Sequence, residues 1–260
     1  MPDIVLHNEM ATRVLRRLDE KIITRIDESV FQYGVMAPDA YMSYRFIFPR
    51  YFRHGINKRG AIMHEKKCGE FLIRLAHNCH DDKDFSILCG FICHFALDST
   101  LHPLINQLTD GHAGMHEAVE HALDMMVLRK KGHTSGYVTS CFSDYYKCAS
   151  LANTMKVVYG WSDDYLKTAY NYQKLYYHIC CDRLGLINVI LKRCRGKLSS
   201  LSYNNTKCDT MNLERFNELT NESIELAIKM INAANALFTE NCKEDNFVQL
   251  VKNRSYLGQL

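Results

Sequence analysis

With 260 residues, 47% of them hydrophobic, the chain can bury one sizeable core, and a single domain over residues 1–260 is expected. Lys and Arg total 32 against 29 Asp and Glu, a net charge of +3, and the two signs are interspersed. That leaves no basic stripe of the kind a nucleic-acid binder needs.

Residues 1–20 carry His7, Glu9, Arg13, Arg16, Arg17 and Asp19 among short apolar runs, which interrupts any secretory leader. No window approaches the roughly 18 uncharged apolar residues of a membrane span, so a cytoplasmic protein is expected. The eleven cysteines form no C-x-x-C pair and read as buried thiols. Cys89 and Cys93, four apart in an apolar run, read as core rather than as a metal pair.

In chain order, apolar residues at three- and four-residue spacing predict helices over 4–31, 65–76, 85–101, 115–128 and much of 165–191. The clearest amphipathic stretch is 213–238, where Leu213, Phe216, Leu219, Ile224, Ile228, Ile231 and Phe238 alternate with Glu214, Glu222 and Lys229. Breaks are predicted at 34–39, at Phe48-Pro49, at 55–60, at 109–111 and at 132–136, and a long Ser- and Asn-rich loop over 197–212. All four prolines precede residue 104 and no alternating strand is evident, so the fold class is all-α, a single multi-helix domain. The aromatic-rich middle, from Tyr145 to Tyr177, is assigned to helix packing rather than to a substrate wall.

Ten of the twelve histidines fall between His54 and His133. Within that span, His94, Asp98 and His102 succeed one another at intervals of four, which stacks three ligand-type side chains on one helix face. Pro103 should end that helix just after His102. His116 and Glu120 repeat the i, i+4 geometry that grips one ion, and Asp124 continues their face. One such pair alone is usually a surface hydrogen bond; two within about 30 residues, the first inside an apolar run, point to metal because buried charge must be paired or ligated. Mixed imidazole and carboxylate donors suit zinc better than magnesium or calcium.

The order of these residues resembles the zinc-dependent phospholipase C family and its relatives, the single-strand-specific zinc nucleases. The resemblance rests on Leu6-His7-Asn8-Glu9, Ala37-Pro38-Asp39, Met63-His64-Glu65, the H-x-x-x-D run from His94 to Asp98, and the H-x-x-x-E run from His116 to Glu120. It implies a helical fold with up to three zinc ions, and metal-site residues confined to 7–120. By that resemblance Asp39, His64, His94 and Asp98 hold one zinc, Asp98 bridges to a second held also by His7, and His116 with Glu120 holds a third. His102 is the expected further ligand, ahead of His112, and His64 is preferred to His54 because a helix follows it. Secreted members also use a processed N-terminal amine beside the early histidine, whereas here His7 lies six positions after Met1.

The implied activity is hydrolysis of a phosphodiester, with a phospholipid head group as one candidate substrate and Asp39 as a candidate base for the attacking water. Two other readings stand beside it: a metal-binding helical protein without turnover, and an HD-type phosphohydrolase built on His80-Asp81. The Asp82-Lys83-Asp84 run after that dipeptide reads as a solvated turn, and His77, His121 and His133 read as structural or exposed.

Overall fold

The computed structural model describes residues 4–109, 113–132, 141–180, 213–240, 245–251 and 255–258. Among these, the regular structure is entirely helical, as the spacing of apolar residues requires. The predicted loop over 197–212, His112, His133, residues 1–3 and the end of the predicted 165–191 helix lie outside the described residues.

The predicted first helix is three: α1 (Ile4–Leu15), α2 (Glu20–Ile23) and α3 (Glu28–Met36). The breaks are made by aspartates. Asp19 accepts a hydrogen bond from the Lys21 amide and Asp27 from the Val30 amide, so each satisfies an orphaned donor and starts a new helix. The predicted break at 34–39 is helical throughout, because α3 runs on to Met36 and a 3-10 turn, Ala37–Ser43, follows with Pro38 at its start. A second 3-10 turn, Arg50–Arg53, precedes α4 (Lys58–Glu65). Lys67, in the left-handed region, separates α4 from α5 (Cys68–His77).

The central element is α6 (Asp82–Thr109). It is packed by α1, α3, α5, α7 (Ala113–Lys130) and α10 (Leu213–Glu240), while α8 (Ala149–Tyr159), α9 (Leu166–Cys180) and α11 (Asp245–Val251) lie further out. Contrary to the expectation from sequence, α6 is long and apolar enough by length and composition to cross a membrane. The reason is burial on every side: 83% of its most apolar window lies inside the protein. Phe85, Phe91 and Phe95 are fully buried along it, each stabilising the fold by about 1.5–3 kcal/mol. Cys89 and Cys93 are buried there as free thiols, and burial pushes both well above the ordinary thiol range, as a core role demands.

Two features of α6 place the site. At Gly90 the helix crosses α3 so closely that a Cβ would lie 2.4 Å from the Phe31 carbonyl oxygen, and Gly34 meets Ile87 in the same way. This pair of glycines lets the end of α3 reach the His94 side chain one turn further on. The second feature corrects the expected stop at Pro103, since the helix continues to Thr109. A proline in a helix leaves the carbonyl four residues back without its usual donor. That carbonyl, of Ser99, faces the tail segment 255–258: Gly258, at φ +71°, sits where a Cβ would be 2.7 Å from Ser99 O and 2.4 Å from the Pro103 ring.

Candidate metal centre

The structure brings all eight candidate residues into three groups whose ligand atoms lie within 4.8 Å of one another: His7, His94 and Asp98; Asp39, His64 and His94; and His102, His116 and Glu120. They come from α1, the first 3-10 turn, α4, α6 and α7. Seven are buried, and only the His116 side chain is partly open, at 21%.

Backbone carbonyls orient three of the five rings. His64 Nδ1 donates to the Gly60 carbonyl at 2.7 Å, His94 Nδ1 to Val35 O at 2.8 Å, and His102 Nδ1 to Tyr256 O at 2.9 Å. A carbonyl oxygen can only accept, so each Nδ1 carries the proton and each Nε2 of the neutral ring presents a lone pair. Yet His64 Nε2 and His94 Nε2 face each other at 3.4 Å, and His102 Nε2 lies 3.2 Å from Glu120 Oε1. Lone pairs and carboxylates converging in a buried space repel unless a proton or a metal ion sits among them. The donor set therefore fits a metal, and its imidazole-rich composition fits zinc.

Asp98 is the hub. One of its oxygens lies 3.1 Å from His7 Nε2, and the other lies 3.2 Å from His94 Nε2 and 3.5 Å from His64 Nε2, so the two oxygens address two different groups. Asp39 places Oδ1 3.1 Å from His64 Nε2 and Oδ2 3.8 Å from His94 Nε2. In the third group Glu120 Oε1 is 2.8 Å from His116 Nε2, and the His102 and His116 rings stack at 5.2 Å. The His7 and His94 rings stack at 4.0 Å, 8° from parallel. A cleft lined by His7, Asp98, His102 and Glu120 lies between the first and third groups, walled by leucines and Ile105.

The electrostatics match this geometry. Burial alone would raise Asp39 and Asp98, but His94 and His64 hold Asp39 below the usual carboxylate range, and His102, His94 and His7 hold Asp98 well below it. Burial, reinforced by His94, lowers His7 and keeps it neutral with its lone pair available. Against the opposing pull of burial, Asp39 and Asp98 draw His64 up to about 10, and Asp98 with Glu120 draws His102 up to about 9. In the metal-free chain a proton thus occupies each of these Nε2 atoms at neutral pH. Zinc loading at pH 7 should expel them, seen in titration calorimetry as a heat that scales with the ionisation enthalpy of the buffer; above those two values the release should fade. A heat independent of buffer at pH 7 would contradict this arrangement.

One positioning residue, Tyr256, carries no signal in the sequence, and a second, Asp124, has a role other than the one its helix face suggests. Tyr256 accepts from His102 through its carbonyl, donates its amide to the His64 carbonyl at 3.0 Å, and packs its buried ring 4.6 Å from His64 and 5.6 Å from His94. Nothing in its sequence neighbourhood marks it, because the contact spans more than 150 residues. Asp124 does continue the face of His116 and Glu120, but its carboxylate accepts from the Val5 and Leu6 amides at 2.9 and 2.7 Å. It thereby caps α1 and fixes His7 against the other groups. His54 is exposed in a left-handed turn and His77 is exposed, whereas His121 is buried outside the three groups. His80 and Asp81 are also exposed and join none of the groups, with Asp81 capping the start of α6 through the Lys83 and Asp84 amides.

Comparison with known proteins gave no match to a curated protein and none to a solved structure. At the level of families, the description "Zinc dependent phospholipase C" matches residues 6–178, well over half of the chain and inclusive of every residue in the three groups. With its all-helical fold and its convergent zinc-type donors, the chain belongs to the zinc-dependent phospholipase C family.

Proposed function

We propose that this protein hydrolyses a phosphodiester of the phospholipid type, with zinc held at the three groups. The observation that supports the reading is the convergence of His64 Nε2 and His94 Nε2, 3.4 Å apart, beside the buried carboxylates of Asp39 and Asp98, a donor set suited to a metal ion. Asp39, His64, His94 and Asp98 would hold one ion, His7 and Asp98 a second, and His102, His116 and Glu120 a third. When bound, zinc acidifies a water and neutralises phosphoryl oxygens.

The chain's own residues supply the rest. Asp39, held ionised, accepts the proton of the attacking water. Asp98 keeps the first two groups in register through its two oxygens, and Tyr256 keeps His102 turned toward Glu120. Leu6, Leu97, Leu101 and Leu123 exclude bulk water from the cleft between the groups, where charge interactions strengthen.

The test is elemental analysis of tag-free protein coupled to a phosphodiester hydrolysis screen. Two or three zinc ions per chain, lost to a chelator together with turnover and restored with it on adding zinc, are expected. Zinc without turnover on any phosphodiester would instead leave a metal-binding protein.

A further inference from the structure

The stretch between Asp39 and Glu65 contains no acidic residue, yet it carries Arg45, Arg50, Arg53, Lys58 and Arg59. Through the same stretch run Tyr44, Phe46, Ile47, Phe48, Tyr51 and Phe52. Lone exposed apolar side chains are common on soluble surfaces and need no explanation. Here four fall within six residues: Ile47 is 56% exposed, Phe48 42%, Tyr51 82% and Phe52 48%.

The loop is anchored rather than loose. At its root Tyr44 packs edge-on against Tyr165 and Tyr172, and Phe46 against Tyr172 and Tyr176, on the segment leading into and along α9. Arg45 donates to the Phe52 carbonyl at 3.1 Å, and Arg53 donates to the Phe48 and Phe46 carbonyls at 3.1 and 2.7 Å. Both guanidiniums thus satisfy backbone carbonyls of the aromatic residues themselves and leave the aromatic tips outward. Satisfied carbonyls matter for a segment that leaves bulk water for a lipid boundary, because a backbone group without a partner resists that transfer. Each end of the loop runs into an element of the site: the 3-10 turn bearing Asp39 precedes it, and α4, bearing His64, follows.

Resting on the phospholipid reading above, we infer that residues 45–53 form the surface by which this protein docks on an anionic phospholipid bilayer. Aromatic and aliphatic tips enter the head-group boundary, and the positive charge of Arg45 and Arg53, fixed at its rim by the carbonyls, faces the lipid phosphates. Charge complementarity selects this occupant, since three arginines within 45–53, with Lys58 and Arg59 following and no acid from residue 40 to 64, suit an anionic lipid surface far better than a neutral one. The loop then brings the substrate-bearing surface to the two elements that carry Asp39 and His64.

The experiment is co-sedimentation with phosphatidylcholine vesicles, with and without phosphatidylserine, read as protein bound rather than as turnover. The expected result is stronger binding when phosphatidylserine is present, weakened by salt. The Tyr51→Ser/Phe52→Ser double variant should bind about tenfold more weakly or worse. Both side chains are exposed, so the variant should keep the zinc content and thermal midpoint of the parent.

A parent protein that stays in the supernatant with both vesicles, or a variant that binds as well as the parent, overturns the inference. So does a solution dimer that the double variant dissociates, which would make the loop a contact between two copies of the chain. Binding is scored without catalysis. Vesicle binding without hydrolysis of any phosphodiester would therefore sink the proposed activity and leave the lipid surface standing, and hydrolysis of dispersed substrate without vesicle binding would do the reverse.

Discussion

Asp98→Ala should strip most of the zinc from the protein, whereas His77→Ala should leave the metal content of the parent. Asp98 lies in one group with His7 and His94, and its other oxygen is 3.2 Å from His94 Nε2 and 3.5 Å from His64 Nε2, so under the proposed assignment its removal takes a donor from two ions at once. Losing a shared ligand should cost more than the roughly 10–100-fold in affinity typical of an outer-sphere partner. At most the ion at His102, His116 and Glu120 is expected to survive, and elemental analysis after dialysis reads the difference. His77 is exposed on α5 and belongs to none of the groups, which makes it the proper control. Equal zinc in the two variants would refute the assignment of Asp98.

Asp39→Asn should cost hydrolysis about 100- to 10,000-fold, the range for a lost proton acceptor, while the amide oxygen preserves the shape of the site. Asp39 is buried, ionised, and close to both His64 and His94. The informative comparison sets turnover beside zinc content. A variant that keeps its zinc and loses turnover identifies Asp39 as the proton acceptor. A variant whose activity falls only in proportion to lost zinc identifies it as a ligand alone, and a variant active within a few-fold of the parent would remove Asp39 from the mechanism.

Much of this architecture was legible because it is local. Apolar residues three and four apart identify the helix of residues 213–240 wherever it packs, and the H-x-x-x-D and H-x-x-x-E runs place their donors on one helix face through the 3.6-residue period alone. The structure departs from that local pattern where caps and tails act. Asp19 and Asp27 are N-caps visible in the sequence, and reading apolar spacing without capping chemistry merged three helices into one. Pro103 does not stop α6, because the proline is exposed on the helix surface and the tail segment 255–258, which no propensity describes, packs against the Ser99 carbonyl and the proline ring.

What the sequence determined by itself was the inventory and the grouping in sequence: an all-helical chain and eight zinc-type donors in a familiar order. What only the tertiary structure decided was which atom of each donor faces which other. His94 is turned by a carbonyl of α3, across a crossing that Gly34 and Gly90 make close enough; His102 is turned by Tyr256, and His7 is set by Asp124. The exposed loop around Tyr51 belongs to the same class, since a run of aromatics and arginines reads alike whether it is buried or bare. Helix periodicity acts over a few residues and survives in any context. Ring orientation and exposure depend on hydrogen bonds and contacts between segments far apart in the chain, and these exist only once the helices have packed.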